Sequence, residues 1–219
     1  MKTVSDFRRP YAVSVSGDFL PWRGLYGLQY KKKDISDKIL EAGRREYGEK
    51  GFRGGNISKI AADCGVPVGN LYRYFDGKLG LLDAIVRPAY NEIPKFIEEL
   101  AELDQREPMP LDVQLTRISE ELLKAFDKYG REILILCDKC ASTRYDDFFE
   151  KLVACVNRVV LRKIYTDPTD DDKLFCEFIA QAFLNSLLDV LRKGLTREQM
   201  TEMVHRLLVF YFEKIEDRI

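Results

Sequence analysis

Residues 57–75, ISKIAADCGVPVGNLYRYF, contain two short predicted helices joined by a glycine turn. Asn56 precedes the first helix as an N-cap, because its side chain can accept hydrogen bonds from the first free backbone amides. Gly65 supports the turn, and Pro67 suits the first turn of the second helix, where a missing N–H has no cost. The apolar positions of the first helix recur at helical spacing: Ile57, Ile60 and Ala61. This arrangement is typical of a helix-turn-helix, here over about residues 56–75.

The second of these helices divides into an inner and an outer face. Leu71 and Phe75 stand four residues apart and are predicted to pack in the core. Tyr72 and Arg73 are predicted to point away from the core. Tyr74 suits either packing or an external contact, and both interpretations stay open.

The rest of the chain is also predicted to be helical, because no stretch shows sustained alternation of period two. A helix is expected from Asp34 to about Gly48, and another from Lys78 onward, kinked or interrupted at Pro88 and Pro94. Gly130 is expected to separate two helices. Five further helices are predicted: Leu111 to Tyr129, Glu132 to Cys140, Asp146 to Tyr165, Lys173 to Lys193 and Arg197 to Arg218. The fold class is therefore all-α, with about nine or ten helices.

The composition is that of a folded soluble protein, with 32% charged and 46% hydrophobic residues. No uninterrupted apolar run is long enough for a membrane span, and the N-terminal MKTVSDFRRPYAV lacks the apolar core of a signal peptide. We expect a cytoplasmic protein without a membrane partner. The five cysteines are irregularly spaced, which favours free thiols.

Charge is distributed unevenly along the chain. Residues 1–80 carry 15 basic and 9 acidic side chains, whereas residues 81–219 carry 20 basic and 27 acidic ones. A basic front end suggests an anionic partner such as nucleic acid, although a basic tail on an ordinary domain would give the same imbalance. Residues 1–32 hold two prolines and three glycines and are predicted to form an irregular arm.

Residues 33–93 resemble the DNA-binding domain of the TetR family of transcriptional regulators. The resemblance is carried by ILEAGRREYGEKGF and by ISKIAADCGVPVGNLYRYFDGKLGLLDAIV. The positions in register are Gly51, Phe52, Ile60, Ala61, Gly65, Val66, Gly69, Leu71, Tyr72, Tyr74, Phe75, Lys78, Leu81 and Leu82. The chain departs from the family pattern at Arg44, Glu46, Gly55-Asn56, Pro67 and Gly77.

The resemblance implies a DNA-binding domain at residues 33–93, built from three helices around the motif, and contacts with a double-stranded DNA operator. Tyr72 and Lys78 would bind phosphates, and Asn70 and Arg73 would read bases or grip the backbone. A flexible lysine arm could reach phosphates or merely solubilise the chain. The full set of implied contact residues is Asn56, Ser58, Lys59, Val68, Gly69, Asn70, Tyr72, Arg73, Tyr74, Lys78, Lys31, Lys32 and Lys33.

The resemblance further implies that residues 94–219 form a larger helical domain that binds a small-molecule effector. The last two helices, which are strongly apolar, would form a homodimer through a four-helix bundle. Aromatic side chains with a few polar groups suit a pocket for an organic molecule. The candidates are Tyr90, Phe96, Phe126, Tyr129, Tyr145, Phe148, Gln181 and Asn185; a core or surface role is the alternative for each.

Other chemistry has weaker support in the sequence. Cys137 and Cys140 could pair on one helix face, but a metal would need two more ligands, so structural thiols are expected. With one histidine, His205, and no glycine-rich phosphate loop, the sequence indicates neither an enzyme nor a cofactor. The sequence thus predicts a transcriptional regulator, in this family most often a repressor released from its operator by an effector. The alternative is a small-molecule or thiol-redox sensor whose helix-turn-helix no longer binds DNA.

Overall fold

Eight helices make up the regular structure of the part of the chain that the computed structural model describes. The backbone is described for residues 23–106, 110–213 and 215, and the side chains for residues 33–102, 110–213 and 215. The helices are α1 (Arg23–Gly54), α2 (Ile57–Asp63), α3 (Val68–Leu71), α4 (Gly77–Arg106), α5 (Leu111–Asp138), α6 (Phe148–Ile164), α7 (Asp170–Arg192) and α8 (Arg197–Phe212). The all-α prediction is confirmed, and the described helices number slightly fewer than the nine or ten expected.

The first helix begins earlier than the sequence suggested. Residues 23–32 are helical and continuous with the rest of α1, so the prediction of an irregular arm is wrong for them. Their glycines, Gly24 and Gly27, lower helix propensity by about 1 kcal/mol each but remove no hydrogen bond. Lys31, Lys32 and Lys33 therefore lie within a helix and not in a flexible arm. The part of the predicted arm at residues 1–22 lies outside the described residues.

The count of helices falls because Gly130 does not end a helix. It is buried inside α5, which runs unbroken from Leu111 to Asp138. A Cβ on Gly130 would lie 3.2 Å from Leu191 Cδ2, so the glycine lets α7 approach closely. The expected breaks at Pro88 and Pro94 are also absent, since α4 contains both prolines.

The second helix of the motif is shorter than predicted. Helix α3 covers only four residues, and the chain then continues to Phe75 in turns. The amide of Arg73 donates to the carbonyl of Asn70 at 3.1 Å, and that of Tyr74 donates to Leu71 at 3.0 Å. These three-residue spacings are those of a tighter 3₁₀ turn, so the segment stays helical in direction although it leaves α geometry.

One continuous apolar core joins both parts of the chain. Helix α4 contributes to it along its length: Leu82 and Ile85 are fully buried near α1, while Ile93 is buried beside the later helices. Helices α5, α6, α7 and α8 pack against one another around the larger part of this core. The helix-turn-helix segment and the later helices therefore share a structural element and do not form two separate cores.

Helix α7 is apolar on more than its core-facing side. By length and composition alone it could cross a membrane. Its buried residues, among them Cys176, Phe183 and Leu187, belong to the core, while Leu174, Phe175 and Phe178 are exposed large apolar side chains. The high hydropathy of α7 thus comes from a core face and a second face that no described residue covers.

Gly51 produces a sharp change of direction near the end of α1. Its backbone has φ +70° and ψ 171°, a conformation essentially restricted to glycine. The next amide, Phe52 N–H, is thereby directed to the carbonyl of Lys139, at an N···O distance of 2.9 Å. One backbone residue thus kinks the last part of α1 and attaches it to the end of α5.

Replacing Gly51 by alanine should destabilise the protein by about 1–3 kcal/mol, because alanine is strained in this conformation. Chemical denaturation monitored by circular dichroism measures the change. Gly48→Ala is the matched control: Gly48 is helical, and an added Cβ would meet nothing within 4 Å. That control should be stabilised by up to about 1 kcal/mol. Equal effects of the two substitutions would contradict the role assigned to Gly51.

Candidate functional site

The helix-turn-helix is held in shape by its own caps. The Asn56 side chain accepts hydrogen bonds from the amides of Ser58 (2.8 Å) and Lys59 (3.3 Å), which confirms it as the N-cap of α2. Gly65 has φ +66° in the turn. Pro67 precedes α3 and supplies no side-chain cap, so the first amides of α3 receive nothing from it. The motif is thus capped at α2 and left open at α3.

Glu46 anchors α2 to α1 from within the protein. Only 3% of its surface is exposed; one carboxylate oxygen accepts the Asn56 amide at 3.1 Å and the other binds Lys59 Nζ at 2.6 Å. The hydrogen bond from Lys59, reinforced by that of Asn56, lowers the pKa of the Glu46 carboxyl despite its burial. This pair of contacts explains why a charged residue occupies a position that is often apolar in related domains.

Gly55 is required by an adjacent aromatic ring. A Cβ at Gly55 would lie 2.6 Å from two ring atoms of Tyr47, a side chain that is fully buried. The Tyr47 hydroxyl donates to the carbonyl of Lys78 at 3.0 Å and so ties α1 to the start of α4. Burial raises the pKa of Tyr47, which keeps this hydroxyl a donor at neutral pH.

Residues 68–75, which comprise α3 and the turns after it, are called the recognition segment. Its outer face carries the residues expected to contact DNA. Tyr72 is 56% exposed, and Gly69 and Arg73 are also exposed. Val68, Asn70 and Tyr74 are half-buried. Leu71 is completely buried, as predicted, while Phe75 is half-buried against the core. The motif therefore presents a polar and aromatic surface supported from behind by apolar packing.

The lysines assigned to phosphates already have protein partners. Lys78 Nζ donates to the carbonyl of Arg53 at 3.0 Å and lies 5.0 Å from the centre of the Phe52 ring. Lys59 binds Glu46, as described above. Ser58 and Lys33 are exposed, and the side chains of Lys31 and Lys32 lie outside the described residues. Phosphate contacts by Lys59 and Lys78 stay predictions, and each would be made in addition to a structural contact.

Polar contacts join the motif to helix α5 beyond the Phe52 bond. Arg44 Nε donates to Glu132 Oε1 at 2.5 Å, and Arg131 binds Glu41 at 2.9 Å. Arg53 also donates to the Ser142 hydroxyl, just after α5. Glu132 is buried, so its pairing with Arg44 removes the cost of an isolated charge in the core. Arg44, a second departure from the family pattern, is therefore a contact between the two parts of the chain.

The C-terminal helices enclose a cavity of about 480 Å³. Helices α4 to α8 all contribute to its wall. The residues that line it are Ile93, Phe96, Ile97, Leu100, Ala101, Leu111, Gln114, Leu115, Ile118, Leu122, Ala125, Phe126, Ile133, Leu152, Val156, Val159, Val160, Lys163, Ile164, Phe183, Leu184, Leu187, Leu188, Leu191, Leu208, Phe212 and Ile215. A cavity of this size and composition suits a small organic molecule.

Only two of the eight predicted effector residues, Phe96 and Phe126, line this cavity. The other six lie elsewhere because aromatic and polar side chains on these helices also serve packing and surface roles. Tyr90 packs against Tyr145 and Phe148 at ring-centre distances of 5.0 and 5.5 Å, and Tyr129 donates to Glu92. Gln181 and Asn185 are exposed on α7.

Sequence reasoning missed the two polar residues of the cavity wall, Gln114 and Lys163. A signal existed for Gln114: it stands in the apolar stripe of α5, beside Leu115 and four residues before Ile118. A polar residue within such a stripe is either paired in the core or exposed to a cavity. Lys163 gave no comparable signal, because it lies two residues after Leu161 in a stretch that contains both charged and apolar residues.

The cysteine pair is not arranged for thiol chemistry. The sequence suggested that the two thiols could share one helix face. Helix α5 ends at Asp138, however, so Cys140 lies beyond the helix and the thiols do not share a face. Burial raises the pKa of both Cys137 and Cys140 to about 12. Thiols with such pKa values contain almost no reactive thiolate at neutral pH.

Comparison with known proteins places this motif in a family. The family model described as bacterial regulatory proteins, tetR family, matches residues 39–85. "Probable HTH-type transcriptional regulator YttP" of Bacillus subtilis (strain 168) is 34% identical over 70 residues, which are 32% of this chain and 34% of that protein. The match thus spans about a third of this curated relative.

Solved structures share the fold over most of the chain. NalD, the secondary repressor of the MexAB-OprM multidrug efflux pump in Pseudomonas aeruginosa, superimposes with a TM-score of 0.52 at 19% identity, covering 84% of this chain and 96% of NalD. FadR from Bacillus subtilis, solved in complex with stearoyl-CoA, superimposes with a TM-score of 0.52 at 14% identity, covering 80% and 96%. At these identities the likeness concerns the fold.

Replacing Glu46 by glutamine should reduce stability at pH 7 by about 1–3 kcal/mol, because the hydrogen-bonded charge is lost. The pKa of Glu46 is lower in the folded state than in the unfolded state, so its contribution is complete above the unfolded value and is lost as pH falls through the folded one. Denaturation at pH 7 and at pH 3 should show the difference between wild type and Glu46→Gln shrinking in acid. Glu49→Gln, at an exposed position of the same helix, should match wild type at both pH values. A difference that is constant with pH would contradict this account.

Proposed function

We propose that this chain, which belongs to the TetR family of bacterial regulatory proteins, is a transcriptional regulator that binds an operator in double-stranded DNA and is released by a small-molecule effector. The observation that carries the proposal is a capped helix-turn-helix whose exposed face holds Tyr72 and Arg73. In this motif the second helix enters the major groove and its first residues meet base edges. Asn70 and Arg73 have the side chains for adenine and guanine.

The rigidity of the motif supports this role. Glu46, Asn56 and Lys59 fix α2 on α1, and Tyr47 fixes the start of α4. A recognition segment held on such a frame loses little conformational entropy when it binds, so more of the contact energy contributes to affinity. The 3₁₀ turn after α3 brings Tyr72 and Arg73 to the same exposed end of the motif.

A homodimer through α7 and α8 is the second part of the proposal. The two helices carry exposed apolar side chains, with Phe178 at 58% and Phe210 at 67% exposure. Large apolar side chains exposed on two neighbouring helices are typical of a protein interface. A symmetric pairing of α7 and α8 with those of a second copy would cover this apolar surface. It would also position the two recognition helices of the dimer to bind neighbouring half-sites of the operator.

Helix α5 offers a route from the cavity to the DNA-binding motif. Its residues Gln114 to Ile133 line the cavity, while Glu132 and Lys139 bind Arg44 and Phe52 of α1. An effector that fits the cavity better in one position of α5 would shift the population of α1 positions accordingly. The protein would be released from DNA if, in that position, the distance between the two recognition helices no longer matches the spacing of the operator half-sites.

The alternative of a thiol-redox sensor without DNA binding has less support. Its candidate thiols have raised pKa values, and the departures that suggested a degenerate motif have structural partners: Asn56 caps α2, Glu46 binds Lys59, and Gly55 accommodates Tyr47. The substitutions therefore preserve the motif by other contacts.

Gel-shift titration with the DNA upstream of the protein's own gene tests DNA binding. Arg73→Ala and Asn70→Ala should each weaken binding to the preferred site by about 5–150-fold, equivalent to about 1–3 kcal/mol, and change the base preference. Lys124→Ala removes an exposed positive charge from the first half of α5 and should leave the affinity unchanged. A folded protein that binds no DNA sequence preferentially at low salt would refute the proposal.

Phe178→Glu should shift the protein from dimer to monomer, because it places a charge in an apolar contact on both sides of a symmetric interface. Sedimentation velocity measures the association state, and operator affinity should fall with it. Val113→Glu, at a 49% exposed position of α5, serves as the control and should remain dimeric. A dimer that persists in Phe178→Glu would exclude α7 from the interface.

A further inference from the structure

The cavity wall has one chemical character over most of its surface. All but two of its lining residues are aliphatic or aromatic, and the exceptions are Gln114 and Lys163. An apolar molecule gains affinity there in proportion to the surface it removes from water. A strongly polar ligand, by contrast, would leave most of its groups without partners.

The two polar residues lie at the same end of the cavity. Gln114 is in the first turn of α5, soon after the end of α4. Lys163 is in the last turn of α6, next to Arg162, which binds Glu98 in the last third of α4. Gln114 is only 6% exposed, and none of the described residues forms a hydrogen bond with its side chain. The Gln114 side chain lines the cavity, so this position is suited to a ligand that supplies a hydrogen-bond partner. Lys163, the charged residue of the lining, adds a positive charge at this end, and an anion would be bound in addition to the protein contact that this lysine already makes.

The cavity extends along much of α6. Its lining on that helix runs from Leu152 to Ile164, which corresponds to about 18 Å along the helix axis. A cavity that follows a helix over this distance has room for an extended chain.

We propose that this cavity binds an aliphatic amphiphile with an anionic head, such as a long-chain carboxylate or an acyl thioester of an anionic carrier. The head lies between Gln114 and Lys163, where the amide N–H donates a hydrogen bond and the ammonium group offsets the charge. The tail runs toward Ile133, Leu152 and Leu188 at the opposite end.

The tail of the ligand points to the end of α5 that is attached to α1, so its length can affect regulation. This step rests on the proposed function. Ile133 precedes Lys139 by six residues, about 9 Å along α5, and the Lys139 carbonyl holds Phe52. Only a chain long enough to reach Ile133 contacts this end of α5. Chain length therefore decides whether binding is transmitted to α1.

Binding of saturated carboxylates with 8, 12, 16 and 18 carbons, measured by displacement of a fluorescent fatty acid from the full-length protein, tests the ligand class. Affinity should rise about fourfold per methylene until the channel is filled and then level off. Hexadecan-1-ol should bind at least tenfold more weakly than hexadecanoate. Binding of hexadecanoyl-coenzyme A but not hexadecanoate would assign the same chemistry to the thioester. No saturable binding of any of these molecules, or equal binding of alcohol and acid, would overturn the proposal.

Variants of the polar end separate its two contributions. Gln114→Leu should weaken hexadecanoate binding about tenfold or more, because the amide that donates to the head is lost, while circular dichroism verifies that the variant folds. Lys163→Met should abolish the preference of acid over alcohol without lowering alcohol affinity. Unchanged hexadecanoate affinity in both variants would place the head elsewhere and refute the orientation.

Leu152→Phe tests the deep end, because the larger side chain occupies empty cavity. The ratio of affinities for the 12- and 18-carbon acids should change at least tenfold in favour of the shorter one. Leu79→Phe, the same substitution at an exposed position outside the cavity, should leave this ratio unchanged. Circular dichroism verifies folding; if Leu152→Phe does not fold, Leu188→Phe serves in its place, and an unchanged ratio in a folded variant contradicts the proposal.

Ligand binding and DNA binding are measured independently, so the two proposals can fail separately. Saturable amphiphile binding by a protein that binds no operator would leave the cavity assignment intact and refute the regulator. If the protein binds its operator but none of the acids or thioesters binds to the cavity or changes operator affinity, the regulator proposal stands and this ligand class is refuted.

Discussion

The hydrogen bond from Phe52 N–H to the Lys139 carbonyl is the contact on which the arrangement of this chain depends. It forms because Gly51 takes a backbone conformation that turns the chain out of α1 at the end of α5. The helix-turn-helix begins five residues later, so its position relative to the cavity helices is set by this bond and by the Arg44–Glu132 pair. Together with the packing of α4 on α1, they connect the C-terminal helices to the motif.

Several residues near this junction have two functions at once. Lys78 closes the end of α1 on the Arg53 carbonyl and is also the residue assigned to a phosphate; Lys59 pairs with buried Glu46 while facing the same surface. A cation that already has a partner is fixed in place, so it loses less side-chain entropy on binding a phosphate than a mobile lysine would. Because of these contacts, substitutions of Lys59 or Lys78 that are intended to remove a phosphate contact would also affect the stability of the motif.

The cavity between the later helices shows the reverse organisation. Its wall is formed by apolar side chains from five helices, and its polar groups are confined to one end. Affinity there depends on the amount of apolar surface buried, and orientation depends on two residues. Under the proposed ligand orientation, ligand length is sensed along α5, the helix that is attached to the helix-turn-helix.

The sequence by itself determined the fold class, most helix positions and the motif. Helical periodicity marks the apolar faces directly, the Asn56 cap acts on amides two and three residues away, and Leu71 is buried by its own helix face. These are local effects, and they can be read from neighbouring residues. The resemblance to the TetR family depends on the same short stretch, which is why it extended no further than residues 33–93.

The tertiary structure alone decided whatever depends on residues distant in the chain. Gly130 looked like a helix break but is a point of close approach to Leu191. Glu46 and Arg44 looked out of place until their partners Lys59 and Glu132 were known. Six of the eight candidate effector residues lie outside the cavity for the same reason: aromatic content does not reveal which helix faces converge. Convergence of five helices is set by packing across the whole core, and no local pattern records it.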